Sequence, residues 1–127
     1  MGYTTDFDGA IEVVPPLTKE DAQYLYDFSE IRHQEVSIGG DFPGIWCHWV
    51  ALGNSGICWN ECEKFYSSAE WMKYIIDNIL APKGYTLNGE IEAQGEDPED
   101  RWRLVVKDNK VFRQEAEVKF LPLEEVK

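Results

Sequence analysis

The helix predicted over Ser68–Leu80 has the most regular hydrophobic pattern in the chain. Ser67, with Glu70 three residues later, is typical of a capping box, and Ala81, Pro82 and Gly84 end the pattern. Because an apolar stripe of helical period is far more often core than a cofactor or membrane face, we expect Ile75 and Ile79 to be buried. The stripe consists of Trp71, Met72, Ile75, Ile76, Ile79 and Leu80.

The remaining pattern predicts a second helix and several strands. Thr18 is a capping residue followed by acids, and the apolar residues from Ala22 to Ile31 recur near the helical period, so a helix is expected to about Arg32. Alternating or β-branched segments predict strands at Tyr3–Val14, Ile45–Ala51, Ile57–Asn60, Tyr85–Gln94, Arg101–Lys107 and Val111–Phe120.

Turn residues connect these strands. The turn at Gly53–Gly56 joins the two arms of an aromatic hairpin, and Asp108, Asn109 and Lys110 form a tight turn. Val36–Gly44 has three glycines and no helical period, which indicates an irregular connection. The order of elements predicts one α+β domain over residues 1–127: a mostly antiparallel sheet of five to six strands, with two helices packed on one face.

Composition limits the partners that this domain can have. The chain has 127 residues, 43% hydrophobic content and 13% aromatic content, which argues against disorder. Its 24 acidic and 12 basic side chains give a net charge of −12. A nucleic-acid backbone and an anionic membrane are therefore disfavoured, and a basic protein surface is favoured.

The N-terminal sequence and the cysteines favour a cytoplasmic protein. The segment before Phe7 has neither a basic region nor an apolar region of a signal peptide, and no apolar run reaches membrane-spanning length. Cys47, Cys58 and Cys62 are odd in number and form no CxxC, which fits a reducing compartment.

No motif for a metal, a cofactor or catalysis is evident. Three thiolates could bind zinc, but Cys47 and His48 are neighbours on a predicted strand, so their side chains point to opposite faces. A cysteine nucleophile with His33 or His48 as its base lacks a flanking motif. We therefore expect reduced cysteines, no metal, no cofactor and no enzymatic activity.

An acidic tract is the first candidate for a binding site. It contains six acids within eleven residues, namely Glu90, Glu92, Glu96, Asp97, Glu99 and Asp100. On a strand Glu90 and Glu92 share a face about 7 Å apart, which resembles the spacing of phosphates along a nucleic acid. Two other interpretations stay open: a solvated face, and a weak calcium site formed by the last four acids.

The second candidate for a binding site is the pair of tryptophans on the predicted hairpin, which cannot both belong to the core. Trp46 and Trp49 lie on opposite faces of a regular strand, so one of them is expected outside the main core. An exposed tryptophan commonly concentrates binding energy at a contact surface. We therefore include Trp46 and Trp49 with the acidic tract among the predicted partner-binding residues.

Six short segments carry a family resemblance. They are Met1–Phe7 (MGYTTDF), Gly44–Cys47 (GIWC), Glu63–Tyr66 (EKFY), Gly84–Glu90 (GYTLNGE), Gly95–Pro98 (GEDP) and Val106–Asn109 (VKDN). On these segments the chain resembles a family of small uncharacterised proteins of bacteriophages and actinobacteria. The resemblance covers nearly the whole chain and implies a phage setting, but it supplies no catalytic residues. The chain differs from the family in its short Ile38–Pro43 connection and at Cys62.

Together these observations lead to two functional hypotheses. The first is a phage-encoded, non-enzymatic inhibitor in the host cytoplasm, which occupies the basic groove of a nucleic-acid-binding defence protein such as a CRISPR effector or a restriction enzyme. The second is a small enzyme or ligand-binding domain with a tryptophan-lined pocket, in which Glu61 or Glu63 acts as acid or base.

Overall fold

The structure, a computed structural model, describes residues 3–33 and 42–127. Six strands form one antiparallel sheet in the order β2-β3-β1-β4-β5-β6, which confirms the predicted α+β class. The strands are β1 (Asp6–Val14), β2 (Trp49–Leu52), β3 (Gly56–Trp59), β4 (Thr86–Gln94), β5 (Arg101–Lys107) and β6 (Lys110–Glu115). The helices are α1 (Lys19–Ser29) and α2 (Ser68–Ile75).

One face of the sheet forms a core with both helices, and the opposite face is open. Alternate residues of the central strands are buried, as the side-chain period of two requires: Ile11 and Val13 in β1, and Leu87 and Ile91 in β4. Leu25 of α1 and Trp71 and Ile75 of α2 belong to the same core. The residues between the buried positions are mostly polar and exposed, and we call their side the open face.

Helix α1 begins as predicted and ends early. The Thr18 hydroxyl accepts the backbone N–H of Asp21 at 3.0 Å, which confirms the cap. The helix ends at Ser29 instead of Arg32, because the backbone N–H groups of Glu30 and Ile31 donate to carbonyls three residues earlier. Those bonds tighten the final turn and leave Ile31 about half exposed.

Helix α2 begins at the predicted residue, but its cap and its second half differ from the prediction. Ser67 has left-handed dihedrals (φ 56°, ψ 39°) and makes no side-chain cap bond, so the predicted capping box is wrong. From Ile76 to Leu80 the helix widens into a π turn, in which the Ala81 N–H donates to the Ile76 carbonyl. Ile75 and Ile79 are buried as predicted.

Strands β1, β2 and β6 are several residues shorter than the sequence indicates, whereas β3 keeps its predicted length and is shifted by one residue. Strand β1 starts at Asp6, and the hairpin arms pair from Trp49 to Leu52 and from Gly56 to Trp59, so Trp46 lies before the hairpin. Strand β6 ends at Glu115 instead of Phe120. Its partner β5 begins at Arg101, and the residues before Arg101 form a turn and do not pair with β6. Residues 116–127 follow β6 as an exposed segment without regular secondary structure.

Two further expectations concern chain segments and membranes. Most of the predicted irregular connection Val36–Gly44 lies outside the described residues, since positions 34–41 are not among them.

Within the described ranges, no helix combines the length and the apolar composition that crossing a membrane requires.

Candidate functional site

The open face carries acids from two adjacent strands. Glu90 and Glu92 of β4 are exposed there, as the predicted alternation requires. Strand β1 adds Asp6, Asp8 and Glu12, which are also exposed on this face. The sequence interpretation missed these three, although acids at positions 6, 8 and 12 share one side of an alternating strand. Recognising them required the pairing of β1 with β4, which joins segments about 80 residues apart.

Two of these acids lie directly opposite each other. Asp8 pairs in register with Glu92, and in an antiparallel sheet such partners have Cβ atoms about 4.5–5.5 Å apart. Like charges at this separation destabilise a sheet. Among the described residues, no salt bridge is formed by Asp6, Asp8, Glu12 or Glu92. Glu92 is also the register partner of Arg103 on its other side, so the acids of the open face without a basic cross-strand neighbour are those of β1.

The neighbouring strands give the open face a basic side. Arg101, Arg103 and Lys107 are exposed on β5, beside the acids of β4. Arg103 is partly neutralised by Glu90, whose Oε2 lies 3.2 Å from its Nη1, and its Nε donates a hydrogen bond to Gln114 Oε1 at 3.1 Å. Between the two sides lies a depression of about 430 Å³, lined by Asp6, Asp8, Glu92, Arg101, Arg103 and Gln114 among others.

Three of the remaining acids of the predicted tract, Glu96, Asp97 and Asp100, make contacts within the fold through their side chains, whereas the side chain of Glu99 is exposed. They occupy the turn between β4 and β5, where the Glu96 carboxylate accepts the backbone N–H of Thr4 and Asp97 Oδ1 accepts that of Glu99 at 3.0 Å. Asp100 Oδ2 accepts the Tyr3 hydroxyl at 2.8 Å, and that hydroxyl accepts the Asp97 N–H at 3.0 Å. The tract therefore has two parts. Glu90 and Glu92 lie on the open face, whereas the turn between β4 and β5 forms hydrogen bonds with Tyr3 and Thr4.

The two predicted binding tryptophans occupy different environments. Trp49 is wholly buried, and its Nε1 donates to the Ser68 carbonyl at 2.8 Å. Its inclusion in an exposed contact surface is therefore wrong, because strand β2 turns this side chain toward α2. Trp46 is 42% exposed and lies in the segment before β2. It lines a different cavity from the open-face acids.

That second cavity, which we call the aromatic pocket, has a volume of about 600 Å³. Two segments form it: the one that enters β2 and the loop of residues 60–67 that follows β3. Tyr66 in this loop is 56% exposed, so the pocket has two large aromatic side chains in contact with solvent. Its lining includes Gly44, Trp46, His48, Cys62, Lys64 and Tyr66.

The loop that closes the aromatic pocket has a strained backbone. Glu61, Lys64 and Ser67 have φ values of 68°, 59° and 56°, in the left-handed region that residues with a side chain rarely adopt. Such residues persist where the surrounding structure over-determines them, and they cluster at functional sites. The strain therefore favours a functional role for this loop.

Neither cavity resembles a metal centre. In the described part of the chain, no group of three or more metal-binding side chains occurs. Burial raises the pKa of the Cys47 thiol to about 12, so it is a poor source of thiolate. Burial also raises the pKa of Cys58, with the Glu61 charge adding to the shift. Of the acid or base candidates, Glu63 lines the aromatic pocket.

Comparisons with protein-family models, with curated proteins and with solved structures found no match to this chain. The resemblance to a phage family therefore stays a prediction from the sequence.

Proposed function

We propose that this protein is a non-enzymatic interaction protein whose open face binds a basic surface of another protein. The observation that carries the proposal is the register pair of Asp8 and Glu92, flanked by Asp6, Glu12 and Glu90. Asp8 and Glu92 repel each other across the strands, and a cationic partner placed over β1 would relieve that repulsion. A net charge of −12 adds long-range attraction to such a partner.

The basic side of the open face defines how the partner would lie. A uniformly basic groove fits over the acids of β1 and β4 but meets Arg101 and Lys107 on β5. Polarity of this kind fixes the orientation of a complex, since the reversed orientation would bring like charges together. The proposed contact is therefore centred on β1 and β4, with β5 at its rim.

The finer proposal is that the partner is a nucleic-acid-binding protein of a host defence system, such as a CRISPR effector or a restriction enzyme. Grooves that bind nucleic acid carry Lys and Arg at phosphate spacing, and the strand-spaced carboxylates Glu90 and Glu92 match that spacing at about 7 Å. Binding there would block the nuclease by competition, without a reaction catalysed by the inhibitor.

The test is a pull-down with three forms of the protein: the wild type, the variant Asp8→Asn/Glu92→Gln, and the matched control Glu124→Gln/Glu125→Gln. Both variants lose two charges, but the control acids lie in the exposed segment after β6. We expect a basic protein that the wild type and the control retain, that the open-face variant loses, and that added nucleic acid displaces. Equal retention by all three folded forms would exclude the open face as the binding surface.

A ligand-binding role is the second candidate function. The observation that favours it is the aromatic pocket, which has a volume of about 600 Å³ and in which Trp46 and Tyr66 are both exposed.

A further inference from the structure

The segment after β6 exposes large apolar side chains. Five of them are at least 65% exposed, namely Val118, Phe120, Leu121, Leu123 and Val126. The Ala116 N–H donates to the Arg101 carbonyl at 3.0 Å, and beyond it residues 117–127 make no backbone hydrogen bond to the described part of the chain. Large exposed apolar patches mark sites of interaction, so this segment is a candidate contact surface.

The first half of the segment keeps the sequence pattern of a strand. Residues 116–121 (AEVKFL), which we call the β6 extension, alternate apolar and charged side chains up to Phe120 and so continue the period of two from β6. Strand β6 is the last strand of the sheet, and its outer edge has no partner strand within the described residues. The β6 extension therefore has the sequence of a strand but no strand to pair with.

The direction of the backbone groups determines where a partner strand can be added. The Ala116 N–H points to β5, so in a continued strand the even-numbered residues face β5 and the odd-numbered residues face the outer edge. Pro122, which has no N–H, falls on an even number and leaves the outer edge intact. The outer edge therefore offers an unbroken row of donors from Glu115 to Leu121.

The charge order of the β6 extension makes it complementary to a second copy of itself. In an antiparallel pair centred on Val118, Glu117 lies opposite Lys119 of the second copy, and Ala116 lies opposite its Phe120. Opposite charges and apolar side chains placed directly across an antiparallel pair stabilise it.

Other registers lose this complementarity. A centre at Glu117 or at Lys119 would put two like charges directly opposite each other, which is destabilising. A centre between two residues would put apolar side chains opposite charged ones, because one residue of slip exchanges the faces of a strand. The register centred on Val118 is therefore selected by both charge and pattern.

We propose that two copies of this protein associate through their β6 extensions, which pair as antiparallel strands centred on Val118. A contact that uses the same surface on both copies closes at a dimer. Because directly opposite residues share a face, the two open faces would lie on the same side of the joined sheets. The pairing does not use the open-face acids Asp8 and Glu92, so it stands or falls independently of the proposed protein partner.

The first experiment measures the monomer–dimer equilibrium by analytical ultracentrifugation. Physiological ionic strength is used, where a Debye length of about 8 Å screens the repulsion between two domains of net charge −12. The contact is small, so we expect a dimer that forms between about 10 µM and 1 mM protein. A wild-type protein that stays monomeric at 1 mM would overturn the proposal.

Charge exchange tests the register. Glu117→Lys should weaken dimerisation about tenfold or more, because each dimer contains the pair of residues 117 and 119 twice. The exchanged variant Glu117→Lys/Lys119→Glu should restore it, and the control Glu124→Gln/Glu125→Gln, which lies beyond the β6 extension, should dimerise like wild type. A general charge effect predicts the reverse for Glu117→Lys, since this change lowers the net negative charge. An exchanged variant that dimerises no better than Glu117→Lys would overturn the proposal.

A disulfide locates the centre of the pair. Val118 would face its own copy in a non-hydrogen-bonded pair, at a Cα separation of about 4.5 Å that a disulfide can span. With the exposed Cys62 changed to serine, Val118→Cys should form a covalent dimer on mild oxidation. The control Leu123→Cys is at least as exposed but would lie about 30 Å from its copy, so it should not. Covalent dimers formed at equal rates by both variants, with native circular dichroism, would contradict the proposed pairing.

Discussion

Asp21 connects α1 to the end of the second helical region. Its Oδ1 accepts the Lys83 ammonium at 2.7 Å, and its Oδ2 accepts the Tyr85 hydroxyl at 2.6 Å. The Tyr85 hydroxyl in turn accepts the backbone N–H of Thr18 at 3.2 Å. The hydrogen bond from Lys83, then that from Tyr85, lowers the pKa of Asp21 below its ordinary value of 3.8.

Replacing the Asp21 carboxylate should make the stability of the protein depend less on pH in the acidic range. Because the folded pKa is lowered, the Asp21 contribution is fully present above the ordinary value of 3.8 and is lost as the pH falls through the folded pKa. Asp21→Asn should therefore unfold at lower urea concentration than wild type at pH 7, and the two midpoints should converge at low pH. Asp27→Asn, at an exposed position of α1, is the control. A gap that stays constant from pH 7 to pH 2 would contradict this account.

The three cysteines should differ strongly in reactivity. Cys62 is exposed, whereas Cys47 is buried and has a pKa raised to about 12. Iodoacetamide at neutral pH should therefore modify Cys62 first and Cys47 only after unfolding, because the thiolate is the reactive form. Peptide mass spectrometry of the native and the urea-treated protein measures both. Modification of Cys47 at the Cys62 rate in native buffer would contradict the described packing.

Helix α2 is expected to contribute most to the stability of the core. Ile75 is fully buried, so Ile75→Ala should lower the free energy of unfolding by about 2–5 kcal/mol. Lys73→Ala, at an exposed position on the same helix, should change it by less than about 0.5 kcal/mol. Urea unfolding followed by tryptophan fluorescence measures both variants. A loss below about 0.5 kcal/mol for Ile75→Ala would mean that the stripe is not core.

Elements were predictable where the signal is local. Thr18 acts as a cap through a bond to Asp21 three residues away, and strand β5 matches its predicted bounds Arg101–Lys107. The turn at Asp108 and Asn109 also formed as predicted, with φ values of 48° and 70°.

Other elements depended on distant neighbours. Ser67 has a left-handed backbone, and the carbonyl of the adjacent Ser68 accepts a hydrogen bond from the buried Trp49 Nε1. The capping motif is read from local residues and therefore could not predict this contact with β2. Likewise, β6 ends at Glu115 because of where β5 begins. The local pattern was enough to distinguish strands from helices, whereas the ends of β1, β2 and β6 depended on their pairing with other strands.

At the scale of the whole molecule, the candidate site was only partly predictable. Glu90 and Glu92 were identified from local charge density, and both lie on the open face. Their neighbours Asp6 and Asp8 were missed, because strand order is a property of the complete sheet. The structural role of Glu96 and Asp100 was missed for the same reason. Their carboxylates contact Thr4 and Tyr3, which lie more than 90 positions earlier in the sequence.

The proposed binding role of the open face predicts that the opposed carboxylates of Asp8 and Glu92 matter more for binding a basic partner than for folding. The most direct test measures two properties of Asp8→Asn/Glu92→Gln: its free energy of unfolding, and its affinity for the protein that wild type recovers. The variant removes the repulsion between Asp8 and Glu92 but also the charge of Glu92 opposite Arg103, so the free energy of unfolding should change by no more than about 1 kcal/mol. Affinity should fall about tenfold or more, and the salt dependence of the association rate should decrease. Glu124→Gln/Glu125→Gln should leave both properties near wild type. A folded open-face variant that binds as tightly as this control would contradict the account.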